Sequence, residues 1–269
     1  MRIDWDNDRP HVAYSSAGDL PQGKEPTPGP QASTGKNDAA PHSAEGAPAK
    51  TPSADSTGAA PNTAAEQLFD GAEIHSLELE LGGAQVFLEA ADRWSFTAED
   101  PDTAVATVRN GVLKITSRSS SLSSAAVYTV TVPQDVQLRE LDIELGGGEL
   151  KSFGTIQCGS LDVEVGAGGI VLQDVRVAGE CNLDAGLGSI ELNGALARGA
   201  EIDCSIGSVV CRLAAVERYD YEVECGAGSV KLDGSEFSGA GVSGKSISGA
   251  PVRYEVECGV GSVEILHNS

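Results

Sequence analysis

Six cysteines, four histidines and forty acidic side chains are the groups in this 269-residue chain that could do chemistry. The cysteines, Cys158, Cys181, Cys204, Cys211, Cys225 and Cys258, contain no Cys-x-x-Cys pair. His11, His42, His75 and His267 lie away from them, so neither a zinc set nor a Ser-His-Asp arrangement can be assembled, and no catalytic residue is expected. Cys204, Cys225 and Cys258 recur at the last apolar position before the turn, which reads as small buried hydrophobes in equivalent places. A cross-link between stacked neighbours such as Cys204 and Cys225 is compatible with that pattern.

The carboxylates are more informative, because they recur in register. Aligned on a glycine turn, the chain gives Leu141-Asp-Ile-Glu-Leu-Gly-Gly-Gly148, Leu161-Asp-Val-Glu-Val-Gly-Ala-Gly168, Cys181-Asn-Leu-Asp-Ala-Gly-Leu-Gly188, Ala200-Glu-Ile-Asp-Cys-Ser-Ile-Gly207, Tyr221-Glu-Val-Glu-Cys-Gly-Ala-Gly228 and Tyr254-Glu-Val-Glu-Cys-Gly-Val-Gly261. Leu77-Glu-Leu-Glu-Leu-Gly-Gly-Ala84 is a seventh copy. Side chains alternate along a strand, so the apolar first, third and fifth residues share one face and the acidic second and fourth share the other.

One outward column therefore reads Glu78, Asp142, Asp162, Asn182, Glu201, Glu222 and Glu255, and the next reads Glu80, Glu144, Glu164, Asp184, Asp203, Glu224 and Glu257. The outward residues after the turn, Phe87, Lys151, Val171, Glu191, Val210, Lys231 and Glu264, are mixed. Stacked like charges are destabilising, so their concentration on one sheet asks for a cause. Duplication of an ancestral unit, a surface for cations or a basic partner, and protection against face-to-face association all fit. Glu144, Glu164, Asp184, Asp203, Glu224 and Glu257 are the candidates for weak calcium binding, since calcium accepts several oxygens in flexible geometry. No other cofactor is expected. The calcium-binding nonapeptide motif does not fit, because apolar residues follow the turn where it needs Asp.

The final glycines Gly148, Gly168, Gly188, Gly207, Gly228 and Gly261 are separated by 20, 20, 19, 21 and 33 residues. Units this short cannot bury an apolar side alone and must stack on their neighbours. The expected fold is all-β, a single-chain β-solenoid of coils of about 20 residues, with the glycines at corners that need positive φ and room for the next coil. The longer last interval holds Asp233 to Gly249, expected to project as a loop or hairpin. The expected irregular strands, over residues 71–140, are Leu77–Leu81, Gln85–Ala90, Arg93–Ala98, Ala104–Arg109, Val112–Ser117 and Ala126–Val132, and the regular repeats occupy 141–269. Asn110-Gly111 marks a hairpin.

Residues 1–70 hold nine of the twelve prolines among Ala, Ser, Thr and Gly, a composition that predicts a disordered spacer before a solenoid over 71–269. The net charge of −22 opposes nucleic acid and anionic membrane surfaces as partners. Protein or surface ligands remain, with a membrane tether lying outside this chain.

The order of features, from paired strands around Trp94 to Ile115, through a strand ending at Val132-Pro133, to the glycine-turn repeats, resembles the bacterial putative-adhesin family of β-strand-repeat domains of unknown function. The resemblance spans about residues 74–266. It implies a β-solenoid or β-roll, no catalytic residues, and an extracytoplasmic or membrane-associated place in a bacterium. The expectation is a non-enzymatic, adhesin-like surface or scaffold module. A polymer-forming scaffold and an accessory part of a membrane-stress sensing system are the alternatives.

Overall fold

A computed structural model describes residues 4–6, 9–11, 65–70, 73–118 and 126–268. The chain divides into two units, residues 1–56 and 57–269. In the first, β1 (Asp4–Asp6) and β2 (Arg9–His11) pair antiparallel, with Trp5 opposite Pro10. The expected disorder of the leader falls mostly on residues 12–64, outside those described.

The second unit is all-β among its described residues. Its sheet starts at β3 (Ala65–Leu68), inside the stretch that proline content assigns to the leader. This polar strand pairs antiparallel with β5 (Ser95–Ala98) at the sheet's periphery, and the buried Phe69 anchors it. One aromatic anchor is too little to alter the composition of the segment around it.

Between these strands runs β4 (Ser76–Ala91), one 16-residue strand where the glycines suggested two. β9 (Gln137–Phe153) also continues through its glycines, and the two pair in parallel from Leu77 opposite Leu141 to Glu89 opposite Phe153. Facing glycines let both backbones bend together without losing their ladder. Alongside β4 lie β7 (Val112–Ser117) and β8 (Val127–Pro133), both parallel to it. β6 (Ala104–Arg109) closes the expected hairpin on β7, with Asn110 and Gly111 both at positive φ.

From Ile156 onward the chain alternates between two parallel columns. The first contains β10 (Ile156–Val165), β12 (Cys181–Ala185), β14 (Gly199–Cys204), β16 (Tyr219–Cys225) and β20 (Val252–Cys258). The second contains β11 (Gly169–Val177), β13 (Ser189–Leu196), β15 (Ser208–Ala214), β17 (Ser229–Leu232) and β21 (Ser262–Asn268). Together β3 to β21 form one sheet that closes on itself in a barrel-like way.

The spatial order of the units is not their order in the chain. β20 pairs with β14 on one side and β16 on the other, and β21 likewise lies between β15 and β17. The C-terminal repeat is thus inserted ahead of the one before it. The two repeats share Tyr-Glu-Val-Glu-Cys-Gly, so inward packing suits either slot. The segment that only β16 and β17 carry distinguishes them. Instead of projecting, it folds back as β18 (Ser235–Ser238) and β19 (Val242–Ser246), which pair antiparallel with β17 and β16. Those strands cover what would be a free edge, so this coil must be terminal.

The inward positions form the core. Leu141, Ile143 and Leu145, Val163 and Val165, and Val223 are fully buried, as are Ile170, Leu172, Val209 and Val230 in the second column. Layers of aliphatic side chains stacked strand upon strand supply the burial that a chain with 4% aromatics cannot take from rings.

The corner glycines are needed chiefly for space. Positive φ occurs at Gly148 and Gly168 but at none of Gly188, Gly207, Gly228 and Gly261. A Cβ on Gly207 would fall onto the Gly188 carbonyl oxygen, one on Gly261 onto that of Gly207, and one on Gly228 onto that of Gly261. The expectation of a positive φ at every corner is corrected accordingly. Close stacking of backbone on backbone is the commoner requirement.

Candidate functional site

The acidic residues form two continuous columns on the outer face of the first stack. Register places Glu80 beside Glu144, then Glu164, Asp184, Asp203, Glu257 and Glu224 in turn. The parallel column runs Glu78, Asp142, Asp162, Asn182, Glu201, Glu255 and Glu222. All six carboxylates singled out from sequence therefore share one column, and all six are exposed. Their order differs from the chain's, with Glu257 between Asp203 and Glu224.

Among the described residues, basic side chains pair with both columns at one end and with the Glu78 column alone at the other. Lys114, on β7 directly opposite Glu78, bonds Glu78 at 2.7 Å and also Glu80. Lys245, on β19 opposite Glu222, bonds it at 2.6 Å, and Arg253 reaches the same carboxylate at 3.0 Å. The hydrogen bond from Lys114 lowers the Glu80 pKa, and that from Lys245 lowers the Glu222 pKa.

The middle of the face behaves in the opposite sense. Burial, reinforced by Asp162, Glu78, Glu140 and Glu144, pushes Asp142 up to about 6. Glu164 is raised by burial and then by Glu144, Asp184 and Asp162, and Asp184 by burial and then by Asp203 and Asp162. These carboxyls repel one another, and among the described residues no Lys or Arg forms an ion pair with them. Among the described residues no group of three or more His, Cys, Asp or Glu side chains is arranged to hold a metal ion.

At one end the column opens into a cleft of about 560 Å³, lined by Asp203, Glu257 and Glu224, by the adjoining corner residues and by Gly241 to Ser243 of the covering strand. Nothing in the sequence pointed to this cleft, because the hairpin that walls it looked like a projecting loop.

The cysteines are free and buried. Cys258 stands between Cys204 and Cys225, so the cross-link considered between those two joins residues that are not neighbours. Burial raises Cys158 and Cys211 to about 12 and Cys258 to about 11, which keeps these thiols protonated at neutral pH and poor as nucleophiles or ligands.

One constellation escaped sequence reasoning because its members lie in different repeats. Asp233 accepts the His267 backbone N–H at 2.8 Å and bonds Nδ1 of its ring at 2.8 Å, while Nε2 meets the Tyr254 hydroxyl at 2.9 Å. Tyr219 stacks on the imidazole, with ring centroids 5.0 Å apart. Tyr254 is only 1% exposed and its pKa is raised by burial, so this chain of bonds ties the last strand to the end of β17, with Asp233 at its solvent-facing end.

No family model matches this chain, and no curated protein does. Solved structures similar to this chain include a putative cell adhesion protein from Clostridium sporogenes, at 14% identity and a TM-score of 0.45, over 77% of this chain and 99% of that one. A putative adhesin from Bacteroides fragilis is similar at 13% identity and a TM-score of 0.38, over 76% of this chain and 97% of that one. A putative lipid binding protein from Parabacteroides distasonis is similar at 17% identity and a TM-score of 0.31, with 76% and 97% covered.

Proposed function

We propose that the chain is a non-enzymatic, adhesin-like binding module, a short β-solenoid whose acidic face is the contact surface for a basic partner. The observation that carries this reading is the distribution of cations. Lys114 pairs with both columns at one end, and Lys245 and Arg253 with the Glu78 column at the other, whereas Glu144, Glu164, Asp184, Asp203, Glu257 and Glu224 form no ion pair among the described residues. A face kept only for solubility has no need of this contrast. A partner carrying Lys or Arg would relieve the repulsion. Calcium would act on the same carboxylates weakly and without a cage, as a competitor.

The β16 and β17 edges are capped by two short antiparallel strands, β19 and β18, rather than left as a parallel repeat edge, which weighs against coil-on-coil, end-to-end polymerisation. No helix among the described residues is long and apolar enough to cross a membrane. In this reading the module works at a bacterial surface, held there by something outside the described residues.

Retention under flow tests the reading. Microspheres coated with the full chain should be held on surfaces presenting basic polypeptide and released by raised salt. Retention should fall at least tenfold when Glu144→Gln, Glu164→Gln, Asp184→Asn, Asp203→Asn, Glu257→Gln and Glu224→Gln are combined. Equal retention of parent and variant would refute it.

A further inference from the structure

The corner beside the acidic columns carries a feature that neither charge nor repetition explains. Backbone hydrogen bonds join the middle residues of successive corners into one line: Ala167 N–H to Gly146, Leu187 to Gly166, Ile206 to Gly186, Val260 to Ser205 and Ala227 to Gly259. In space the line therefore runs Ala167, Leu187, Ile206, Val260, Ala227. The inserted C-terminal repeat sets Val260 against Ile206, which chain order would not do. Leu187 is 68% exposed, Ile206 59% and Val260 64%, three of the six large hydrophobics exposed among the described residues.

The corner itself does not require such residues. Ala167 and Ala227 fill the same position, and the corresponding β4 and β9 positions are Gly83 and Gly147. Branched aliphatics in a solvent-facing turn have no local advantage. Nothing bulky covers them either. Glycines flank the corner, with Ser205 in place of one before Ile206, and on its second-column side the first residues are Ser189, Ser208, Ser262 and Ser229, aligned in register. On the other side, three residues back along each coil, lie Asp184, Asp203 and Glu257.

We infer that Leu187, Ile206 and Val260, with the acidic column beside them, form the docking ridge for a basic amphipathic helix of a partner protein. Charge complementarity selects this occupant. A second copy of the chain would bring its own acidic column against this one, and an anionic lipid surface would be repelled. The spacing agrees, since ridge residues on adjacent coils are ~4.8 Å apart and a helix repeats its i, i+3 and i, i+4 positions every ~4.5–6 Å. Six coils from Glu144 to Glu224 span ~24 Å, the length of a helix of about 16 residues. Apolar residues of that helix would lie on the ridge and its Lys or Arg side chains over the carboxylates. The inference rests on the proposed binding role and names the partner's chemistry.

The probe is a labelled 18-residue helical peptide with Leu on one face and Lys beside it, compared by fluorescence anisotropy with a scrambled peptide of equal charge. The full chain should bind the amphipathic peptide at least tenfold more tightly than the scrambled one. In the combined variant Leu187→Ala, Ile206→Ala and Val260→Ala that preference should vanish while the scrambled affinity stays unchanged. The folding risk is small, since alanine already occupies this position in two coils. With Asp184→Asn, Asp203→Asn and Glu257→Gln combined, both peptides should weaken at least tenfold. If the alanine variant binds both peptides as the parent does, the ridge takes no part and the inference falls, while the acidic-face reading stands. If the parent binds neither peptide, both fall. Self-association of the parent that the alanine variant abolishes, or parent binding to anionic vesicles, would replace the helix with another occupant and also overturn the inference.

Discussion

At the scale of single residues, the acidic face keeps carboxylates that the fold would be more stable without. Asp142 is the clearest case, because its folded pKa of about 6 lies above the value of about 3.9 for an unfolded aspartate. Folding favours its protonated form, so its contribution is most favourable below about pH 4 and is lost as pH rises to about 6. Asp142→Asn should therefore stabilise the protein at pH 7 by about 1 kcal/mol after solvent screening, or ~2–4 °C in thermal midpoint. The gain should shrink towards zero near pH 4, and a pH-independent gain would mean that charge is not its cause. Asp220 has the opposite sign. Its carboxylate accepts hydrogen bonds from the Ser248 hydroxyl and from the backbone N–H groups of Ser248, Gly249 and Ala250, which hold its pKa at about 2. That support is complete above about pH 4 and is lost as pH falls towards 2. Stability measured against pH should thus peak in mildly acidic solution; a maximum at neutral pH or above would contradict the Asp142 assignment, and a maximum near pH 2 that of Asp220.

Among the elements, the decisive feature is the close stacking of one corner on the next. Gly207→Ala forces a methyl group onto the Gly188 carbonyl oxygen although the φ at that site is ordinary, and it should cost about 1–3 kcal/mol. A thermal midpoint equal to the parent's would show that adjacent corners are further apart than described. Strand phase, the inward ladders and both acidic columns were legible in the sequence, because side-chain alternation and glycine spacing are local properties. What was not legible depends on partners chosen over long range. The continuity of β4 through Gly82 and Gly83 depends on the glycines of β9 facing them. The β3 strand depends on a single anchor at Phe69, and the slot of the C-terminal repeat depends on which coil carries the hairpin. The apolar ridge was hidden for the same reason. Leu187 and Ile206 lie on consecutive coils, but Val260 is separated from Ile206 in the sequence by Ala227 and becomes its neighbour only through the insertion.

For the whole molecule, the folded unit is a stack with a covered end and a charged, partly apolar flank. If β18 and β19 exist to cover an edge, replacing Gly234–Ile247 with a short Gly-Ser linker, which keeps the Ser248 to Ala250 donors of Asp220, should leave the repeats folded but shift sedimentation to larger, concentration-dependent species. A size distribution unchanged from the parent's would mean that the hairpin serves only as the wall of the cleft beside Glu224 and Glu257. The central claim, that the acidic face meets a basic partner, is tested most directly by zero-length cross-linking of carboxylates to the amines of a lysine-rich polypeptide, with the linked residues read by mass spectrometry. The account predicts cross-links concentrated on Glu144, Glu164, Asp184, Asp203, Glu257 and Glu224 and suppressed by salt. Cross-links spread over Glu99, Asp100, Asp102 and Glu236 as readily as over that column, in proportion to exposure alone, would contradict it.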